Sequence, residues 1–267
     1  MRGRYVVPLI FATACFSKPG LRDNPSDGGT DSPPSSTCDF VQQPGLVAYL
    51  PFDSVEGTAT LDRSQLHNDG VLHGALEPVP GRAGMALQWS AQNQYVDLGS
   101  AASLDQLPAL TACMWLQPSG SIDAGTLLDK SVDGIVGGWN LYATPQAGSV
   151  GLGFVTRSAL YEQTSGVIAR GGPWAHACVS WDGSDGTLVG QKITGVHLWV
   201  DGAEALPSYA VDSYRTSPSN DGARPLRIGS GVEGGTDYTF RGAIDEVVIF
   251  DRELDATEIA AIRDCAP

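Results

Sequence analysis

Residues 109–118 read ALTACMWLQP and residues 174–183 read WAHACVSWDG. Each is a mainly apolar run of strand length that stops at Pro, Gly or Asp, and the run alone does not say whether it is strand or buried helix. The flanking sequence decides the matter, because the same texture recurs on both sides. LVAYLPF begins at Leu46, MALQW at Met85, QYVDLG at Gln94 and TLLDKS at Thr126. WNLYAT follows from Trp139, SVGLGFVT from Ser149, VHLWVDG from Val196, PLRIGS from Pro225 and AIDEVVIFD from Ala243. Short alternating runs parted by Gly, Asp, Asn and Pro predict an all-β sandwich rather than alternating strands and helices. No second break in composition and no internal repeat interrupts the pattern, so residues 38–267 are expected to form one domain of two packed sheets.

The chain has 267 residues, 42% hydrophobic and 17% charged, enough to bury a full core. A net charge of −14 with no basic run excludes a nucleic-acid binder, since phosphate contacts need clustered Lys and Arg. The first fourteen residues, MRGRYVVPLIFATA, carry two arginines and then a short apolar stretch. They are too short to span a bilayer and are expected to be a secretory signal. Two cleavage types fit. Ala12-Thr13-Ala14 suits ordinary signal peptidase and a soluble secreted form. A short apolar core ending in small residues before Cys15 resembles a bacterial lipobox, with Ala12 where Leu is usual. Cysteine parity favours the lipobox: lipidating Cys15 leaves Cys38, Cys113, Cys178 and Cys265, an even set for an exported chain. Residues 16–37, FSKPGLRDNPSDGGTDSPPSST, are rich in Pro, Gly and Ser without apolar periodicity and are expected to act as a flexible tether. The expected location is the cell envelope, with the outer membrane preferred because Phe16 supplies no Asp-type retention signal.

In order, the runs from Leu46 to Ile262 resemble the laminin-G-like jelly roll of the concanavalin A-like lectin/glucanase superfamily, closing with FRGAIDEVVIFDRELDATEIAAI. This implies an all-β, two-sheet antiparallel jelly-roll sandwich with one short C-terminal helix. Because that sandwich carries lectins, adhesion modules, scaffolds and hydrolases, it does not by itself name a function. Cys113 and Cys178 lie where pentraxins place a disulfide joining two strands of one sheet, which implies a Cys113–Cys178 bridge. On a strand Cys113 shares a face with Thr111 and Trp115, and Cys178 with His176 and Ser180. Cys38 and Cys265 then remain as a pair at the two ends of the domain, where termini commonly approach one another. The resemblance also implies a Ca2+ between early and late segments, with Asp53, Asp62, Asn68 and Asp245 as ligands. The same residues fit a second reading, in which Asp62 and Asn68 close Asx turns and Asp245 binds backbone amides. After LRIGS the chain reads GVEGGTDY, with only Glu233 and Asp237, a departure from the acidic double-calcium loop of pentraxins.

Arg252–Ile262, RELDATEIAAI, contains Glu253, Asp255 and Glu258 in the E-x-D-x-x-E spacing that resembles the catalytic strand of jelly-roll β-glucanases. On a regular strand Glu258 would point away from the other two. A helix explains the string better: Asp255 as N-cap, Glu258 closing a capping box, and Leu254 stapled to Ile259. The long runs around Cys113 and Cys178 hold no carboxylate. The four histidines lack a tight zinc spacing, and there is no G-x-S-x-G elbow, so the chain is read as a non-enzyme. In VHLWVDG, Val196, Leu198 and Val200 form the core face, which turns His197 and Trp199 outward, together with Trp115. These aromatics, with Tyr238 and the other loop-like tyrosines Tyr209 and Tyr214, are the candidate sugar-stacking groups; the competing reading packs Trp115 and Trp199 over the disulfide. The function expected from sequence is a non-catalytic module that recognises a glycan or glycoprotein, with or without calcium. A protein-binding adhesion or scaffold module is the alternative, and a glycoside hydrolase a remote third.

Overall fold

The computed structural model describes residues 38–120, 125–131, 138–156, 160–162, 168–184, 186–207, 209–211, 224–233 and 236–265. The expected signal, the lipidation site Cys15, the tether and Tyr214 lie outside the described residues.

The domain is a two-sheet sandwich. In the smaller sheet the strands run in the order Ala203–Ala205, Val196–Val200, Ala175–Trp181, Leu110–Pro118, Gly242–Phe250, Met85–Trp89 and Glu77–Pro80. Leu46–Leu50 also pairs with the second half of Gly242–Phe250. The larger sheet runs Tyr209–Val211, Leu160–Glu162, Ser149–Thr156, Trp139–Gln146, Gly125–Asp129, Arg227–Ile228, Tyr95–Asp97, Gly70–His73, Ala59–Thr60 and Val55–Glu56. All eleven runs expected from sequence contain a strand.

Between the sheets lies the main core. One of its rows crosses six strands of the larger sheet, Leu72, Val96, Ile228, Leu128, Leu141 and Phe154, each opposite the next. All six are buried in one apolar cluster with Leu198, Val179, Ala112 and Ile249 of the smaller sheet. Interdigitation of two inner faces is how a sandwich removes apolar area from water, at roughly 25 cal/mol per Å².

The outer face of the smaller sheet has its own cover. Trp199, Cys178, Cys113, Val248 and Tyr49 oppose one another in a row across five strands. Over them pack Phe40 of a short 3-10 turn, Asp39–Gln42, and Leu254, Ile259 and Ile262 at and within the helix Ala256–Asp264. Cys113 faces Cys178 directly and the two form a disulfide, with Cα atoms 4.1 Å apart. A second disulfide, Cys38–Cys265, ties the 3-10 turn to the end of the helix. Both expected pairings are therefore present. Among the described residues no helix is long and apolar enough to cross a membrane.

Candidate functional site: the outer face of the larger sheet

One residue along each strand from the apolar row lies its polar counterpart. Asp97, Arg227, Asp129 and Asn140 stand directly opposite one another on four neighbouring strands, flanked by Val71 and Val155. Side chains alternate across a strand, so a core row of aliphatics forces this row to the outside.

Its charged and aromatic groups are tightly placed. Tyr95 lies between two neighbours: His73 is stacked on it with centroids 4.4 Å apart and planes at 11°, and the Arg227 guanidinium sits 4.4 Å from the ring centroid. Asp97 is committed to the turn that follows, accepting from the Gly99 amide at 2.7 Å, and approaches Arg227 Nε only to 4.0 Å. Asp129 Oδ1 accepts from Ser131 N at 3.0 Å, Ser131 Oγ at 2.5 Å and Asn140 Nδ2 at 3.2 Å. Burial pushes the Asp129 carboxyl above its ordinary range, against these hydrogen bonds. At Gly231 a Cβ would come within 2.8 Å of Asp129 Oδ2, so only glycine lets the Ser230–Glu233 strand approach so closely.

Beside this row opens a cleft of about 150 Å³ lined by Asp129, Ser131, Arg224, Pro225, Arg227 and Val232. One wall is pinned by Lys130, which is fully buried, pairs with Asp105 and donates to the Arg224 carbonyl oxygen. Arg227 Nε and Asn140 Oδ1 are buried without hydrogen-bond partners. Leaving a buried donor or acceptor unpaired costs about 1–3 kcal/mol, so this row keeps unmet hydrogen-bonding capacity of both signs. The cleft accommodates one substituent or small ring rather than a buried chain.

The residues singled out from sequence lie elsewhere. Trp115 and Trp199 were expected to expose their faces, yet they are 8% and 9% exposed. Trp199 is covered by the helix and donates from Nε1 to Ser180 Oγ at 3.1 Å, while Trp115 packs against His176 and beneath Arg82. The strand alternation is as expected, and for Trp199 it is the competing reading, packing over the disulfide, that the structure shows. His197 remains half-buried at the surface, bonded through Nδ1 to Glu204 at 2.8 Å, with Glu253 3.8 Å from Nε2. Tyr238 is 37% exposed and lies in a strand, Thr236–Thr239, rather than in a loop; Tyr209 likewise begins a strand.

The four expected calcium ligands fall into two sets. Asp62 Oδ1 accepts from Tyr49 N and Ser64 N, and Oδ2 from Ser64 Oγ and Asn68 N, at 2.6–2.8 Å. Asn68 donates to the Val47 carbonyl and accepts from Ser103. This is the turn-closing role, and it occupies both oxygens of Asp62. Asp245 Oδ2 accepts from the Arg82 and Ala83 amides and Oδ1 from Glu246 N, while Asp53 accepts from Met85 N. Both Asp245 oxygens and one Asp53 oxygen are thus engaged by amides, whereas calcium takes six to eight oxygen ligands. Among the described residues Cys113, His176 and Cys178 also cluster, but the two sulfurs are bonded to each other.

Glu253, Asp255 and Glu258 do not converge either. Asp255 caps the helix, accepting from Thr257 N and Glu258 N, and Glu258 returns a bond from Asp255 N and a bidentate pair with Arg252. Glu253 alone turns toward His197.

Sequence reasoning missed Asp97, Arg227, Asp129 and Asn140. The available signal was a polar residue in the middle of each of QYVDLG, LRIGS, TLLDKS and WNLYAT.

Fold and site together define a two-sheet jelly roll of lectin type with a polar outer face. The Laminin_G_3 family profile, described as the concanavalin A-like lectin/glucanases superfamily, matches residues 90–260, and the chain belongs to that family. A comparison with curated proteins finds no match. Among solved structures, domain 4 of AbnA, a GH43 extracellular arabinanase from Geobacillus stearothermophilus in complex with arabinotriose, is similar at 18% identity. Its TM-score is 0.57, over 82% of this chain and 98% of that one. The binding domain of Paraclostridial Mosquitocidal Protein 1 (13% identity, TM-score 0.55) matches 82% of this chain and 52% of its own. The binding domain of botulinum neurotoxin DC, solved with rat synaptotagmin II (11% identity, TM-score 0.55), matches 82% and 51%. The chain thus spans about half the length of these two toxin domains. At such identities the likeness is one of fold.

Proposed function

We propose that the domain is a non-catalytic binding module of the cell envelope that recognises a glycan or the glycan of a glycoprotein, held at the membrane by a lipid on Cys15. The observation that carries this reading is the row Asp97, Arg227, Asp129 and Asn140 beside a cleft, with a donor and an acceptor left unpaired. Sugar hydroxyls supply both partners, and the His73–Tyr95 stack next to the row offers an aromatic edge and face. The carboxylates of the row already have structural tasks: Asp129 Oδ1 accepts three hydrogen bonds and Asp97 holds its turn. Arabinotriose bound to the AbnA domain shows that a sandwich of this fold takes a sugar; the synaptotagmin complex of the neurotoxin domain keeps a protein ligand as the second reading.

The test is a broad glycan array probed with the full chain, beside its Asn140→Ala and Arg227→Gln variants, with calcium and with chelator. Saccharide signal that survives chelator and falls in both variants supports the reading. Binding to a protein partner that is indifferent to deglycosylation and to both variants overturns it. Metabolic acyl labelling that is lost in Cys15→Ser tests the anchor separately.

A further inference from the structure

The chain as a whole carries a charge of −14, yet the cleft on the larger sheet is flanked by two guanidinium groups, Arg224 and Arg227. Among the described residues neither guanidinium has an acceptor within hydrogen-bond distance; Asp97 Oδ1 accepts from Gly99 N, and its Oδ2 approaches Arg227 Nε only to 4.0 Å. Asp129 shares the cleft with its Oδ1 held by three hydrogen bonds from Ser131 and Asn140, and the two arginines outnumber this one carboxylate in the lining. The Arg227 guanidinium is held 4.4 Å from the Tyr95 ring centroid, whereas at Arg224 buried Lys130 holds the backbone carbonyl and the side chain is exposed. A guanidinium binds a planar carboxylate in two-point fashion, and one already held on a ring loses little side-chain entropy in doing so.

We infer that the cleft between Arg224 and Arg227 receives the carboxylate of an acidic sugar, so that the glycan recognised is a uronate-bearing one. This rests on the glycan reading above and narrows it. A carboxylate on a pyranose ring is small enough for a cleft of about 150 Å³. A net negative surface elsewhere repels polyanions that lack this fit, which makes the attraction local and salt-sensitive.

The experiment titrates the full chain by calorimetry with trimers of galacturonate, glucuronate and mannuronate, each beside its carboxyl-reduced neutral counterpart. The expected result is binding of at least one uronate trimer, weakened at least tenfold by carboxyl reduction, by Arg227→Gln and by Arg224→Gln, and falling as salt rises. Arg224 is exposed, so its variant tests the contact without a folding change, and an unchanged thermal midpoint confirms this. Equal binding of acid and reduced trimers, or binding of neutral saccharides alone, overturns the inference while leaving the glycan reading intact. Binding of no saccharide in either series or on the array overturns both.

Discussion

The two sheets carry matched rows of side chains on their outer faces, and the rows have opposite chemistry. Across the smaller sheet run Trp199, Cys178, Cys113, Val248 and Tyr49, under a helix and a 3-10 turn. Across the larger sheet run Asp97, Arg227, Asp129 and Asn140, beside a cleft lined by Arg227 and Asp129, with an unpaired donor on Arg227 and an unpaired acceptor two strands away on Asn140. One face is therefore invested in stability and the other is left with unmet hydrogen-bonding capacity. The difference teaches where to look for function in a sandwich of this kind: the aromatic-rich face looks more like a binding platform in sequence, but its aromatics are already occupied by the protein itself.

The comparison breaks most readily at Trp199. Replacing it with Ala removes a large side chain from beneath the helix and is expected to cost about 3–5 kcal/mol of unfolding free energy, measured by urea denaturation. The same measurement on Arg227→Gln should move stability by less than about 1 kcal/mol, because its guanidinium has no hydrogen bond to lose. If Trp199→Ala instead abolishes ligand binding at full stability, the assignment of the two faces is reversed.

The disulfide across the cover comes next. Cys38 and Cys265 are 227 residues apart, and closing so long a loop is worth about 5 kcal/mol in the chain-entropy model, less when the unfolded chain retains structure. A Cys38→Ser/Cys265→Ser double variant is expected to lose about 2–4 kcal/mol by denaturation while binding any saccharide as before. Loss of binding in a folded double variant would show that the cover reaches the site.

Much of the fold was legible in the sequence because strand alternation, turn residues and the helix cap are local. Glu253, Asp255 and Glu258 could be assigned to a helix start from spacing alone, and the capping box is present. Cys113 and Cys178 could be paired because the superfamily resemblance placed their strands side by side. The site was not legible for a physical reason. Asp97, Asp129, Asn140 and Arg227 come from four strands scattered over more than a hundred residues, and each looks like an ordinary solvent-facing position in its own strand. Only the strand order, set by crossovers between the sheets, places them in one row. Trp199 failed in the converse way: alternation gave its direction, but whether that direction meets water depends on a helix sixty residues further on.

Within the covered face there is a polar exception, and it predicts a pH dependence. Glu246 sits with φ of 52° in a β-bulge of the Gly242–Phe250 strand, accepts from the Tyr49 hydroxyl at 2.6 Å, and keeps Oε1 buried without a partner. Burial, opposed by the Tyr49 bond and reinforced by Asp245 and Asp53, raises its pKa to about 7, and burial raises Asp245 to about 6. Between the ordinary carboxylate range and pH 7 the folded domain thus holds protons that the unfolded chain releases. Stability is fully present below that window and declines as pH rises through it. The expected loss between pH 4.5 and pH 8 is on the order of 2 kcal/mol by denaturation. Glu246→Gln, which retains an acceptor for Tyr49, should flatten about half of the slope, the remainder belonging to Asp245. A slope unchanged in Glu246→Gln would remove Glu246 as its source, and a slope of opposite sign would mean that ionised carboxylates stabilise this face.

The smallest expected effect is at Asp255, and it sharpens the comparison by separating the cover from the sheet it covers. Its carboxylate satisfies the amides of Thr257 and Glu258 at 2.8 and 2.9 Å, donors that the first turn of any helix leaves without backbone partners. Asp255→Ala is expected to cost about 1 kcal/mol, as for a typical N-cap. Because Leu254 and Ile259 still bury against Phe250 and Trp199, the helix should stay docked, and hydrogen exchange should rise in residues 256–259 without reaching the Trp199 strand. Exchange spreading into Val196–Val200 would mean that the apolar row depends on the cap as well as on packing. The two faces would then differ in cooperativity as well as in polarity, with a rigid polar face working against a cover that opens as a unit.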